Sequence, residues 1–246
     1  GVYVPALLTE RLHPEARAVP DTDWHLERLY AFAKDMGASI LAATHSRYVI
    51  DLNRPPDGAS LYPGQNVTGL CPVDTFDETP LYPRGDVPDD AEIATRREAI
   101  WQPYHAQLRT ELDRIRTAHG VAVLWDAHSI RSVLPRFFEG TLPDLNLGTA
   151  DGASCDPALA QELLRIAETS PGYTAVLNGR FKGGHITRHY GEPARGIHAV
   201  QLEMTQCCYM QEAPPFTYLP ERAAQVQPHL RRMLEAVLAF ADGAKA

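Results

Sequence analysis

The chain has 246 residues, 44% of them hydrophobic and 22% charged, which excludes a disordered or collagen-like protein. A chain this long buries roughly 70–75% of its unfolded surface, so it needs no disulfide or structural metal to hold a core. With 31 Asp and Glu against 23 Lys and Arg, the net charge is −8, the wrong sign for a nucleic-acid binder. No apolar run approaches the roughly 18 residues of a membrane span, and no signal peptide is visible after Gly1. The cysteines Cys71, Cys155, Cys207 and Cys208 show no C-x-x-C spacing. Adjacent cysteines rarely bridge, so reduced thiols in a cytoplasmic protein are expected.

In chain order, residues 21–36 read as a helix, with Leu26, Leu29, Tyr30, Ala33 and Met36 on one face, Asp21 as N-cap and Gly37 as stop. Ser39–Thr44 (SILAAT) and Arg47–Asp51 (RYVID) read as strand segments, and residues 55–90, rich in Pro, Gly and Asp, as a long excursion. A helix over 89–118 follows through Ile93, Ile100, Tyr104, Leu108, Leu112 and Ile115, kinked or split at Pro103. Val121–Trp125 (VAVLW) is apolar throughout, as in a strand buried on both faces. Residues 130–153 read as loop, 157–168 as helix, 173–177 as strand, 179–191 as a glycine-rich loop or ribbon, and 199–204 as strand. The last helix, about 220–240, carries Val226, Leu230, Met233, Leu234, Val237 and Leu238 on one face. Strands alternating with helices imply a layered α/β fold with a largely parallel sheet, whose ligands sit at the carboxyl ends of the strands.

Polar groups gather where the strands end. Asp126 and His128 lie two apart and face one side of a strand. They suit either a metal ligand with an orienting carboxylate or a hydrogen-bonded pair. Arg47 and Arg54 bracket a short apolar run, with Asn53 beside the second. Guanidinium forks of this kind bind carboxylates and stabilise oxyanions, or form surface salt bridges. In the stretch 178–191, Arg180, Lys182, His185 and Arg188 sit among glycines, either a small-anion site or a tight hairpin with solvated charges. Glu203 ends a run interrupted only by Gln201. A carboxylate there is costly unless paired or used, so it is a general base or an arginine partner. Asp21 suits a helix cap, whereas Asp23, just past it, could ligate a metal. Ser129 as a nucleophile lacks a G-x-S-x-G elbow.

In this order the runs SRYVIDLNR, GASLYPGQ (58–65), WDAHSIRSVLPR, NGRFKGGHITRHYG and AVQLEM resemble the N-formylglutamate amidohydrolases over nearly the whole chain. These are deformylases of histidine degradation, related to zinc carboxypeptidases and aspartoacylases. The resemblance implies one three-layer α/β/α catalytic domain over residues 1–246, with a mostly parallel mixed sheet of the phosphorylase/hydrolase type. It implies one Zn²⁺ held by His128 and Asp23, with Glu203 as the base and Arg47 polarising the scissile carbonyl. Asn53 and Arg54 match the pair that grips the substrate α-carboxylate, and Arg180, His185 and Arg188 are candidates for the second carboxylate. The expected partner is a small dianionic substrate, with no nucleic acid or membrane. Gly1 matches the glycine of the family's Pro-His-x-Gly motif, so the first strand and the first His ligand are expected upstream of it. Two other readings are a related N-acyl amino acid amidohydrolase and a metal-free anion-binding relative.

Overall fold

The structure, a computed structural model, describes residues 1–61, 64 and 67–244, so Tyr62, Pro63 and Gln65 of the GASLYPGQ run lie outside the described residues. Its helices are α1 (Ala6–Arg11), α2 (Leu26–Leu29), α3 (Asp90–Arg96), α4 (Gln102–His119), α5 (Pro157–Glu168), α6 (His185–Tyr190) and α7 (Pro220–Gly243). Four strands, β1 (Ala122–Ile130), β2 (Leu145–Gly148), β3 (Ala175–Leu177) and β4 (Ile197–Thr205), form one sheet in the order β1-β4-β2-β3. β1 runs parallel to β4 and β2 parallel to β3, while β2 and β4 are antiparallel. The sheet is therefore mixed and mostly parallel, with helices on both faces.

β4 is buried along its whole length, and its period-two alternation sorts the two layers. Val200, Leu202 and Met204 join Leu145 and Leu147 of β2 in the main core, covered by Leu159, Leu163 and Ile166 of α5 and by Val226, Leu230 and Met233 of α7. On the opposite face Ile197 and Ala122 pack with Leu108 and Leu112 of α4 and Ile186 and Tyr190 of α6. Gln201 and Glu203 share parity with Ile197, and Asp126 and His128 share parity with Ala122, so all four point to the α4/α6 side. The apolar face builds the core and the other face builds the site.

Several sequence expectations need correction. Residues 21–36 are not one helix. Asp21 does not cap it but accepts hydrogen bonds from the Tyr48 hydroxyl (2.6 Å) and the Phe76 amide (2.8 Å). His25 sits at φ 62° with its ring bonded to the Phe216 carbonyl, leaving only α2 and a 3₁₀ turn at Ala31–Ala33. The stretch 39–51 holds no strand. SILAAT leads only to an isolated bridge between Tyr3 and His45, and RYVID is folded into turns. The Ser46 hydroxyl accepts the Tyr48 amide and the Asp51 carboxylate the Asn53 amide, local bonds that compete with extension. The expected loop 130–153 contains β2, and the expected ribbon over 179–191 contains α6. Leu238 is exposed rather than on the buried face of α7.

The other boundaries agree. The helix expected over 89–118 is capped by Asp89, whose carboxylate accepts the Glu92 amide at 2.8 Å. A π turn at Arg97–Trp101 seats Pro103 in the first turn of α4. This avoids a proline in the helix interior. β1 runs beyond VAVLW and includes Asp126 and His128 as strand residues. All four cysteines are free, and no helix of the described residues is long and apolar enough to cross a membrane.

Leu163 is fully buried between α5 and the main core. Replacing it with alanine should cost about 2–5 kcal/mol, read as a lowered urea midpoint with an unchanged slope.

Candidate active site

The parallel register sets Glu203 of β4 directly beside His128 of β1. One cleft lies over this pair. Asp23, Arg47, Asn53, Arg54 and Arg180 line it with them, together with Gln201, Ser129 and the rings of Phe76, Phe137 and Phe181. Residues far apart in sequence thus meet at the carboxyl ends of two neighbouring strands.

Asp23 reaches the cleft from the loop before α2. Its Oδ1 accepts the Ser129 amide of β1 at 2.7 Å, while Oδ2 lies 3.6 Å from His128 Nδ1. Burial pushes the Asp23 carboxyl up, but the neighbouring His128 and Arg47 charges outweigh it and hold it down at about 2. The other ring nitrogen of His128, Nε2, lies 2.9 Å from Asp126 Oδ1 and 3.0 Å from Asn53 Nδ2. Burial lowers the His128 imidazole, yet Asp126 and Asp23 together raise it well above its ordinary value.

The donor chemistry fits a metal ion. A carboxylate behind the ring is the usual way a metal-ligating histidine is oriented, here Asp126 on Nε2, and Nδ1 is left facing Asp23. His128 Nδ1 and Asp23 Oδ2, 3.6 Å apart, are the two groups of ligand chemistry that face each other there.

Glu203 is buried, and Gln201 Nε2 donates to its Oε2 at 3.2 Å. Burial, with Asp23 and Asp126 close by, outweighs His128 and Arg47 and pushes its carboxyl up to about 8. A carboxyl tuned toward neutrality suits proton transfer. Gln201 was not singled out as a site residue. It shares the strand face of Glu203 at spacing two, and that spacing was the available signal. Its Oε1 accepts the Gly184 amide at 2.7 Å, tying the base to the glycine-rich loop. The loop crosses the sheet closely enough that a Cβ on Gly148 would lie 2.6 Å from the Gly183 nitrogen.

The arginines are held by Asp51. Arg47 Nη2 donates to its Oδ2 at 2.8 Å, and Arg54 Nη1 lies 3.9 Å from the same oxygen. Burial would raise the Asp51 carboxyl, but the two guanidinium groups bring it below its ordinary value. Arg47 stacks over the Phe76 ring at 4.7 Å, and its Nε has no hydrogen-bond partner. Arg54 also donates to the Thr68 carbonyl and hydroxyl and to the Asn53 carbonyl. Asn53 Oδ1 accepts the Ile186 amide at 2.8 Å, so its side chain joins the start of α6 to His128. Arg180 donates Nε to the Phe137 carbonyl and lines the cleft.

His185 and Arg188 are not among the residues that line the cleft. The His185 ring packs against His189, His105 and Trp101, and burial lowers it to about 4. Arg188 Nε donates to the Gly183 carbonyl. Ser129 Oγ accepts the Tyr209 hydroxyl at 2.7 Å.

The N-formylglutamate amidohydrolase family model matches residues 1–210. An N-formylglutamate deformylase of Pseudomonas putida is 54% identical over 240 residues, covering 98% of this chain and 90% of that protein. The deformylase of Pseudomonas aeruginosa gives the same identity and coverage. A crystal structure of an N-formylglutamate amidohydrolase from Ralstonia eutropha superposes with a TM-score of 0.81 at 26% identity, covering 100% of this chain and 90% of that one.

Replacing Gln201 with leucine strips Glu203 and the Gly184 amide of a buried partner. The change should cost about 1–3 kcal/mol, read as a drop in thermal midpoint beyond that of an exposed control such as Gln161→Leu.

Proposed function

The chain belongs to the N-formylglutamate amidohydrolase family, and from that premise we propose that it hydrolyses N-formyl-L-glutamate to formate and L-glutamate, a step of histidine degradation. The observation that carries this reading is the pairing of the buried Glu203 with His128, in register on neighbouring strands, in a cleft that also holds three arginines. A dianionic substrate needs at least two cationic anchors beyond the group that meets the reacting carbonyl, and the cleft supplies them.

His128 and Asp23 would hold a zinc-class ion, which when bound supplies Lewis-acid polarisation at the scissile carbonyl. Glu203 takes a proton from the attacking water as the new C–O bond forms at the formyl carbon. Arg47, with an unpartnered Nε, donates to the oxygen that gains negative charge. Glu203 then passes the proton to the departing nitrogen as the C–N bond breaks, releasing the amine of glutamate. Arg54 binds the α-carboxylate and Arg180 the γ-carboxylate. Asn53, already engaged by Ile186 and His128, holds the imbedded imidazole and the start of α6 in place. His185 and Arg188 support the loop that carries Arg180. Four free thiols suit a reducing, cytoplasmic location.

Glutamate release from N-formyl-, N-acetyl- and N-carbamoyl-L-glutamate, with formate, acetate and ammonia followed as the respective co-products, tests the reading. Turnover confined to the formyl compound supports it, and preference for another acyl group replaces it with a related amidohydrolase. Glu203→Gln should lower kcat by about 10²- to 10⁴-fold with little change in substrate binding; near-normal turnover would remove Glu203 as the base. Arg54→Ala should raise KM by about 10- to 100-fold while kcat changes less. An unchanged KM would end its role as the clamp.

A further inference from the structure

A second group of metal-capable side chains lies outside the cleft. Cys207 and Cys208 sit in the 3₁₀ turn that follows β4, and Asp144 immediately precedes β2. One ligand atom from each of the three lies within 4.8 Å of the others. Cys208 Sγ is 3.6 Å from Asp144 Oδ1. In a tetrahedral site with metal–sulfur bonds of about 2.3 Å and metal–oxygen bonds of about 2.1 Å, a sulfur and an oxygen are about 3.6 Å apart. The spacing, here a thiol–carboxylate hydrogen bond, matches that of two ligands on one ion.

The surroundings hold the three groups in place. Asp144 Oδ2 accepts both the amide and the hydroxyl of Thr174, at 2.8 and 2.7 Å, so the carboxylate is oriented with Oδ1 toward the thiols. The Thr205 hydroxyl lies among all three, 3.1 Å from Asp144 Oδ1, 3.2 Å from Cys208 Sγ and 3.3 Å from Cys207 Sγ. Such outer contacts fix ligand direction at metal sites. Cys208 is buried while Cys207 is half-buried, which leaves an approach from solvent.

We propose that Cys207, Cys208 and Asp144 form a second, thiolate-based site for a thiophilic divalent cation of the zinc class. Binding replaces the two thiol protons, which pass to the buffer, by two metal–sulfur bonds, and the third bond goes to Asp144. Water completes the coordination on the exposed side. The nitrogen and oxygen donors of the catalytic cleft give no sulfur-to-metal absorption, so the two sites are distinguishable in one titration.

Titration of the purified chain with Co²⁺, followed by ultraviolet sulfur-to-cobalt charge-transfer absorption, should reach an end point of one ion per chain for that band. Cys207→Ser and Cys208→Ser should each abolish the band and weaken binding at this site by at least about 100-fold, the upper range for loss of a mere outer contact. Glu203→Gln should leave it intact. In the unsubstituted protein, Zn²⁺ should slow iodoacetamide alkylation of Cys207, mapped by peptide mass spectrometry, without requiring any variant to fold. No band in the unsubstituted chain, a band that survives both serine substitutions, or equal alkylation with and without Zn²⁺ would overturn the proposal. None of these readouts involves hydrolysis, so the outcome is independent of the catalytic reading.

Discussion

The parallel pairing of β1 with β4 is the constraint on which the site depends. It puts His128 against Glu203 in register, with one residue of offset turning either side chain into the opposite layer. The register is enforced by the apolar partners on the other face, where Val123 and Trp125 of β1 and Val200, Leu202 and Met204 of β4 pack against α5 and α7. The hydrophobic core on one face of the sheet thus chooses the spacing of the polar groups on the other.

Asp51 plays the corresponding part for the cations. It is buried, yet it binds Arg47, faces Arg54 and accepts the Asn53 amide, so one carboxylate ties together three side chains and amides of the SRYVIDLNR segment. A buried carboxylate with two guanidinium neighbours is charge-compensated, which offsets its desolvation. The same side chain keeps both guanidinium groups in the lining of the cleft.

Much of the site was legible because strand alternation is strict. Asp126 and His128 announced a shared face by their spacing, and the apolar run before Glu203 marked a buried carboxylate that required a purpose. What the sequence hid were features set by distant partners. Asp21 and His25 look like part of a helix until Tyr48, Phe76 and Phe216 claim their polar groups. The four residues of β2 are too few to stand out from a Gly- and Pro-rich stretch, and only β4 and β3 give them a sheet to join. His185 reads as a cleft residue from its glycine-rich setting, but α6 turns it toward Trp101 and His105. Asp144 reaches Cys207 and Cys208 from the residue just before β2, so no short spacing in the sequence marks that group.

The crossing of residues 182–184 over Gly148 has a mechanical meaning. Gly184 grips Gln201 and Gln201 grips Glu203. A side chain at Gly148 would push back the backbone at residue 183, and the displaced Gly184 amide would take Gln201, and through it the Glu203 carboxylate, out of alignment.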